Sequence, residues 1–142
     1  MTDAELGKLS ILALAHVGDA VYELLVRTLL AERGISSALL DLGQSSIQAV
    51  GTKPDGSPWR IAVQDPLGDG YLGVLEVSGL AVGTSGGYQR FFEQDGERYW
   101  HILDPDTAAP ARSGLAGVTV VSPSGLTCDG LSTALFVMGL EE

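Results

Sequence analysis

The chain has 142 residues, 45% of them hydrophobic, and carries 18 acidic against 8 basic side chains for a formal net charge of −10. That is enough apolar material for one packed domain of ordinary size, which excludes global disorder. The acidic balance argues against nonspecific binding to a nucleic-acid backbone, no apolar run approaches the roughly 20 residues needed to span a bilayer, and the single cysteine, Cys128, excludes an internal disulfide. Acids rather than bases occupy the first residues, so no signal peptide is read and the chain is expected in the cytoplasm.

Residues 3–33 read as one helix. Thr2 and Glu5 are spaced for a capping box. Leu14, Val17, Val21, Leu25, Leu29 and Leu30 make a broad apolar surface, and Gly34 is a stop signal. Asp19 and Glu23 interrupt the apolar pattern one turn apart. They read either as shared metal ligands or as a solvated edge with Glu23 pairing to Arg27 at i+4. The run Leu14-Ala15-His16-Val17-Gly18-Asp19-Ala20-Val21-Tyr22-Glu23 resembles the opening helix of mini-ribonuclease III proteins, which cut structured RNA with Mg²⁺. That resemblance implies a catalytic role for Asp19, but the family's later acidic helix has no counterpart in the sequence.

Beyond Gly34 short apolar runs alternate with glycine-rich turns. Strands are predicted over 37–42, 47–50, 59–64, 71–77 and 80–84. Residues 88–94 and 98–103 read as a hairpin around Asp95-Gly96, a dipeptide suited to a two-residue turn. Gly117–Val121 reads as a last strand, followed by a helix from Ser122-Pro123 to a stop at Gly139. On that helix Asp129, Ser132 and Thr133 stand at i, i+3 and i+4, stacking a carboxylate and two hydroxyls on one face. Hard oxygens so placed suit Mg²⁺ when phosphate or water fills the other positions. The alternative is helix-dipole compensation and hydroxyls bonded back to the helix. Leu131, Leu135 and Met138 mark a separate apolar stripe. His101 is expected at a strand end, either as a structural imidazole or as a general base.

Six ordered blocks carry a second resemblance: DLGQSS (41–46), TKPDGSPW (52–59), TSGGY (84–88), HILDP (101–105), TVVSP (119–123) and DGLSTALFVMG (129–139). Over about residues 34–140 the chain resembles the C-terminal half of ApbE-type FAD:protein FMN transferases. The resemblance implies a Mg²⁺-dependent reaction that cleaves the pyrophosphate of FAD and attaches FMN to a threonine of a partner flavoprotein. It implies Mg²⁺ ligands at Asp129, Ser132 and Thr133, and a flavin-nucleotide contact at Leu103, made by its backbone. His101 is implied to assist deprotonation of the acceptor threonine, and Thr84, Ser85 and Gly86 to line the same site. Ala108 stands where the family usually has glycine.

The expected architecture is α+β: a long N-terminal helix packed on a mostly antiparallel sheet, with a C-terminal helix, forming a partial flavin-transferase domain. The expected division is a helical segment over 1–33 and an ApbE-like part over 34–142, read as two gene fragments joined near Leu30–Gly34. The family's preceding half has no counterpart, which implies impaired or absent activity. The alternatives are a mini-ribonuclease III-like RNA-processing fragment and a flavin-nucleotide-binding remnant without chemistry. FAD and an acceptor flavoprotein are the expected partners, nucleic acid and a membrane are not, and exposed sheet surface is expected to favour a homo-oligomer. The family is often exported, whereas this sequence shows no export signal.

Overall fold

The computed structural model describes the backbone of residues 11–43 and 45–140, with side chains from residue 21 onward. Thr2, Glu5, the side chain of Asp19, and Gln44 therefore lie outside the described residues. The chain divides into two compact units, Met1–Ser36 and Ser37–Glu142. No described helix is long and apolar enough to cross a membrane.

The first unit contributes helix α1, Ile11–Glu32. It ends as Gly34 dictates: with φ of 69° the glycine turns the chain, its amide reaches Ala31 O at 3.0 Å, and the Ile35 amide reaches back to Leu30 O at 2.8 Å. This paired bonding satisfies the last carbonyls of the helix. Glu23 accepts from Arg27 at 3.3 Å, the i+4 pair that the sequence offered as the alternative to a metal site.

The second unit is built on an antiparallel sheet in the order β1-β2-β5-β8, formed by Ala38–Asp41, Ser46–Val50, Ala81–Gly86 and Gly117–Ser122. Strands β3 (Trp59–Gln64) and β4 (Tyr71–Val77) pair as a separate antiparallel ribbon, as do β6 (Phe91–Gln94) and β7 (Glu97–Trp100). The turn of the last ribbon is Asp95-Gly96, both at positive φ, as a two-residue turn between right-twisted strands requires. Strand β5 extends two residues past its expected end, and the second arm of the hairpin stops at Trp100, so His101 and Leu103 follow the strand.

Side chains of a strand alternate between faces. One face of the sheet places Ala49 and Val82 against Ile61 and Val77 of the β3–β4 ribbon. The other face receives helix α2, Gly125–Met138. The cap of α2 is Ser124, whose hydroxyl accepts from the Thr127 amide at 3.4 Å. The expected start at Ser122-Pro123 is thus two residues early. Ser122 belongs to β8, and its hydroxyl accepts from the Ser124 amide.

The helix also turns a different face inward from the one its apolar residues suggest. Leu131, Leu135 and Met138 are exposed, whereas Gly125, Cys128, Ser132 and Phe136 are buried. The cause is proximity. A Cβ built on Gly83 of β5 would lie 2.7 Å from Cys128 Cβ and 2.9 Å from its backbone carbonyl carbon. Only small side chains fit that seam, and leucine does not. Lower down the helix, where the seam widens, Phe136 packs with Ile102 and Ala111.

Gly83→Ala is accordingly expected to lower stability by about 1–3 kcal/mol, the range for overpacking a filled site. Gly73→Ala, in β4 with open space around the added carbon, is expected to stay within about 0.5 kcal/mol of the parent. Urea midpoints of the two variants check the contrast.

Candidate metal and nucleotide site

The alternation that puts Gly83 under α2 puts Ser85 there as well. Its hydroxyl lies 2.8 Å from Ser132 Oγ and 3.0 Å from Thr133 Oγ1. Ser132 Oγ in turn donates to the Asp129 carbonyl at 3.2 Å. Three hydroxyls from two elements distant in sequence thus form one connected cluster. Ser132 has no exposed surface and Ser85 is buried, while Asp129 and Thr133 are half-buried.

The other expected residues take different places. Thr84 points to the opposite face of the sheet, where its hydroxyl bonds Thr119 Oγ1 at 2.9 Å across the β5–β8 pair. Strand alternation therefore separates Thr84 from Ser85. Gly86 ends β5 against the Tyr88 ring and the Ala116 carbonyl. His101 is exposed, with Nδ1 3.4 Å from the Arg90 carbonyl. Leu103 is exposed too, and its backbone forms an isolated bridge with Pro110. Between them Ile102 is buried against Phe136 of α2. One inward residue thus fastens a segment with two outward candidates to the helix that bears Asp129.

The segment is braced by a turn around Asp104. Its carboxylate accepts from the amides of Asp106 at 2.8 Å and Thr107 at 3.3 Å, and its carbonyl accepts from Ala108 at 2.9 Å. Ala108 sits at φ of 55°, a left-handed conformation that glycine enters without the Cβ penalty.

Among the described residues, no three of His, Cys, Asp and Glu gather into a group suited to a metal ion. The donors on α2 are oxygens only: the Asp129 carboxylate and the Thr133 hydroxyl, one helical turn apart. Such a donor set fits a hard cation that keeps several waters or substrate phosphates in its shell, as Mg²⁺ does.

A cleft of about 410 Å³ lies on the opposite face, lined by Ile61, Val63, Tyr71, Thr84 and Tyr88 among others. Burial pushes the Tyr88 phenol above its ordinary value. This cleft is not foreseen from the sequence, and the resemblance puts Ser85 in the site without its bonds to the α2 hydroxyls. Both depend on contacts across more than twenty residues. The signal that was available is the alternation of β5 itself, which separates Thr84 from Ser85 once the strand is taken through Gly86.

A family model described as "ApbE family" matches residues 18–142. The chain belongs to the ApbE family. An FAD:protein FMN transferase of Vibrio cholerae serotype O1 is 42% identical over 114 residues, which cover 79% of this chain and 34% of that protein. The FAD:protein FMN transferase of Escherichia coli K12 is 34% identical over 131 residues, covering 91% of this chain and 37% of the relative. Among solved structures, the flavin transferase ApbE from Vibrio cholerae superposes with a TM-score of 0.69 at 39% identity, over 82% of this chain and 37% of that one. The Pseudomonas stutzeri flavinyl transferase ApbE, in its apo form, gives a TM-score of 0.66 at 46% identity, over 82% and 36%. The chain thus spans about a third of the length of these relatives. The ApbE match runs back through Asp19 and Glu23 into the segment set apart in sequence as ribonuclease-like, and that separate resemblance finds no support in these relatives.

Glycine at position 108 is expected to stabilise the protein. Relief of the left-handed Cβ penalty, about 1–2 kcal/mol, exceeds the entropic cost of the added freedom, about 0.4–1 kcal/mol. A rise in the urea midpoint of Ala108→Gly checks this.

Proposed function

We propose that this chain carries the metal- and nucleotide-binding part of an FAD:protein FMN transferase, acting on FAD and on a threonine hydroxyl of an acceptor flavoprotein. The observation that carries the reading is the seam between β5 and α2, where Ser85 bonds the hydroxyls of Ser132 and Thr133. The names and the extent of the ApbE relatives support it.

Asp129 and Thr133 are the side chains we assign to Mg²⁺, which when bound supplies charge neutralisation at a phosphoryl centre. Ser132, the third expected ligand, is turned inward. Ser85, facing α2, is assigned to this site, and Gly86 next to it is the small residue that admits the Tyr88 ring. Thr84 is left out of this site: its side chain is held by Thr119 and its amide donates to the Ser45 carbonyl at 2.8 Å. Leu103 offers its backbone to the nucleotide. His101, exposed and held by the Arg90 carbonyl, accepts the proton that the acceptor threonine loses. An imidazole nitrogen is suited to that task.

Thermal melts with FAD and Mg²⁺ test the binding step. A ligand at a hundredfold excess over its dissociation constant stabilises the folded state by about 2.7 kcal/mol. The expected result is a higher midpoint for the parent chain and none for Asp129→Ala. A cooperative melt that FAD and Mg²⁺ leave unmoved would overturn the proposal. In an acceptor-flavinylation assay, His101→Ala is expected to slow transfer by about 10²–10⁴-fold, the usual worth of a general base, while keeping the melt shift.

A further inference from the structure

With all three of its bonds made, the hydroxyl cluster has one consistent set of proton positions. The Asp129 carbonyl can only accept, so the Ser132 hydroxyl proton is committed to it. Ser132 then has no proton left for Ser85, so the 2.8 Å bond between them is donated by Ser85. Ser85 in turn has none left for Thr133, so the 3.0 Å bond is donated by Thr133. The described residues give Thr133 Oγ1 no other bond. Its proton points into the protein, and its lone pairs face away from Ser85.

We infer that Ser85 and Ser132 are positioning residues, forming a one-way hydroxyl relay that fixes Thr133 as an acceptor of a hard divalent cation. This rests on the Mg²⁺ reading above and changes the part played by Ser132. A fully buried hydroxyl that donates to a carbonyl and accepts from Ser85 is not turned toward a cation on the helix surface. It acts two bonds away, by occupying the Ser85 proton. Were Ser85 free to aim that proton at Thr133, it would compete for the lone pair that the cation needs. The arrangement is the hydroxyl counterpart of an outer partner that orients a metal ligand.

The test is Mn²⁺ uptake by the full chain, read by the loss of the free-ion electron paramagnetic resonance signal, with thermal melts confirming that each variant folds. Both serine-to-alanine changes are nearly isosteric. Ser85→Ala and Ser132→Ala are each expected to weaken Mn²⁺ binding by about 10-fold, the lower range for loss of an outer-shell partner. The Ser85→Ala/Ser132→Ala double variant is expected to bind no more weakly than Ser85→Ala alone, because Ser132 acts only through Ser85. A double variant weakened by the product of the two single losses would mean that Ser132 touches the ion itself, and would overturn the relay while leaving the metal reading intact. No Mn²⁺ uptake by the parent chain would overturn both. Neutron diffraction supplies a reading that needs no metal: the Thr133 deuteron is expected on the line to Ser85 Oγ, and a Ser85 deuteron aimed at Thr133 overturns the inference.

Discussion

The closeness of α2 to β5 at Gly83 and Cys128 is the constraint on which the second unit depends. Without a side chain on Gly83, the helix backbone approaches the sheet until Cys128 Cβ occupies the space a Cβ would need. Every other feature of the seam follows from that distance. The helix must present small residues, and it presents Gly125, Cys128 and Ser132 in succession. A buried hydroxyl in such a seam requires partners, because an unpaired one costs about 1–3 kcal/mol. Ser85 and the Asp129 carbonyl supply them. The same closeness brings Ser85, from the middle of the chain, within hydrogen-bond distance of two residues near its end.

A second fastening works at the wider end of the seam. Phe136 fills the space beyond the small residues and meets Ile102. That contact decides the orientation of a segment with no ladder of its own apart from one bridge. With Ile102 turned in, His101 and Leu103 are turned out, and the turn around Asp104 holds the chain that returns to Pro110 and Ala111. An apolar contact thereby sets where an imidazole stands. The chemistry of the site is polar, and its positioning is largely a matter of packing volume.

How much of this was legible in the sequence varies with the range of the forces involved. Local signals served well. Short apolar runs bounded by turn residues located β3 and β4 at their observed ends, Asp95-Gly96 marked its hairpin, and Gly34 and Gly139 marked the ends of the helices they close. The inward face of α2 was not legible, because hydrophobicity favours Leu131, Leu135 and Met138 over a glycine, a cysteine and a serine. The close approach at Gly83, forty-five residues earlier, reverses that preference. The helix start was misread for a related reason. Ser122-Pro123 has the chemistry of a cap, yet Ser122 is held in β8 by its pairing with Ala81. The trio Asp129, Ser132 and Thr133 was correctly seen to share a helix. Its division into an inward and two outward members was set by the sheet and not by the spacing.

The energetics of the hydroxyl cluster bear on why it is built of serines and a threonine at all. A hydrogen bond between neutral groups contributes about 0.5–1.5 kcal/mol net, and replacing both partners by apolar groups of the same shape is close to neutral. Alanine at positions 85 and 132 would occupy nearly the same volume in the seam that Gly83 and Cys128 define. Packing and stability together therefore do not call for hydroxyls there. What alanine cannot supply is direction: a chain of donors ending on a carbonyl has one polarity, and that polarity is passed to the residue at its open end. The open end is Thr133, half-buried and one turn from a carboxylate. A seam that could have been wholly apolar at little cost is instead polar along the one line that leads to the surface oxygens of α2.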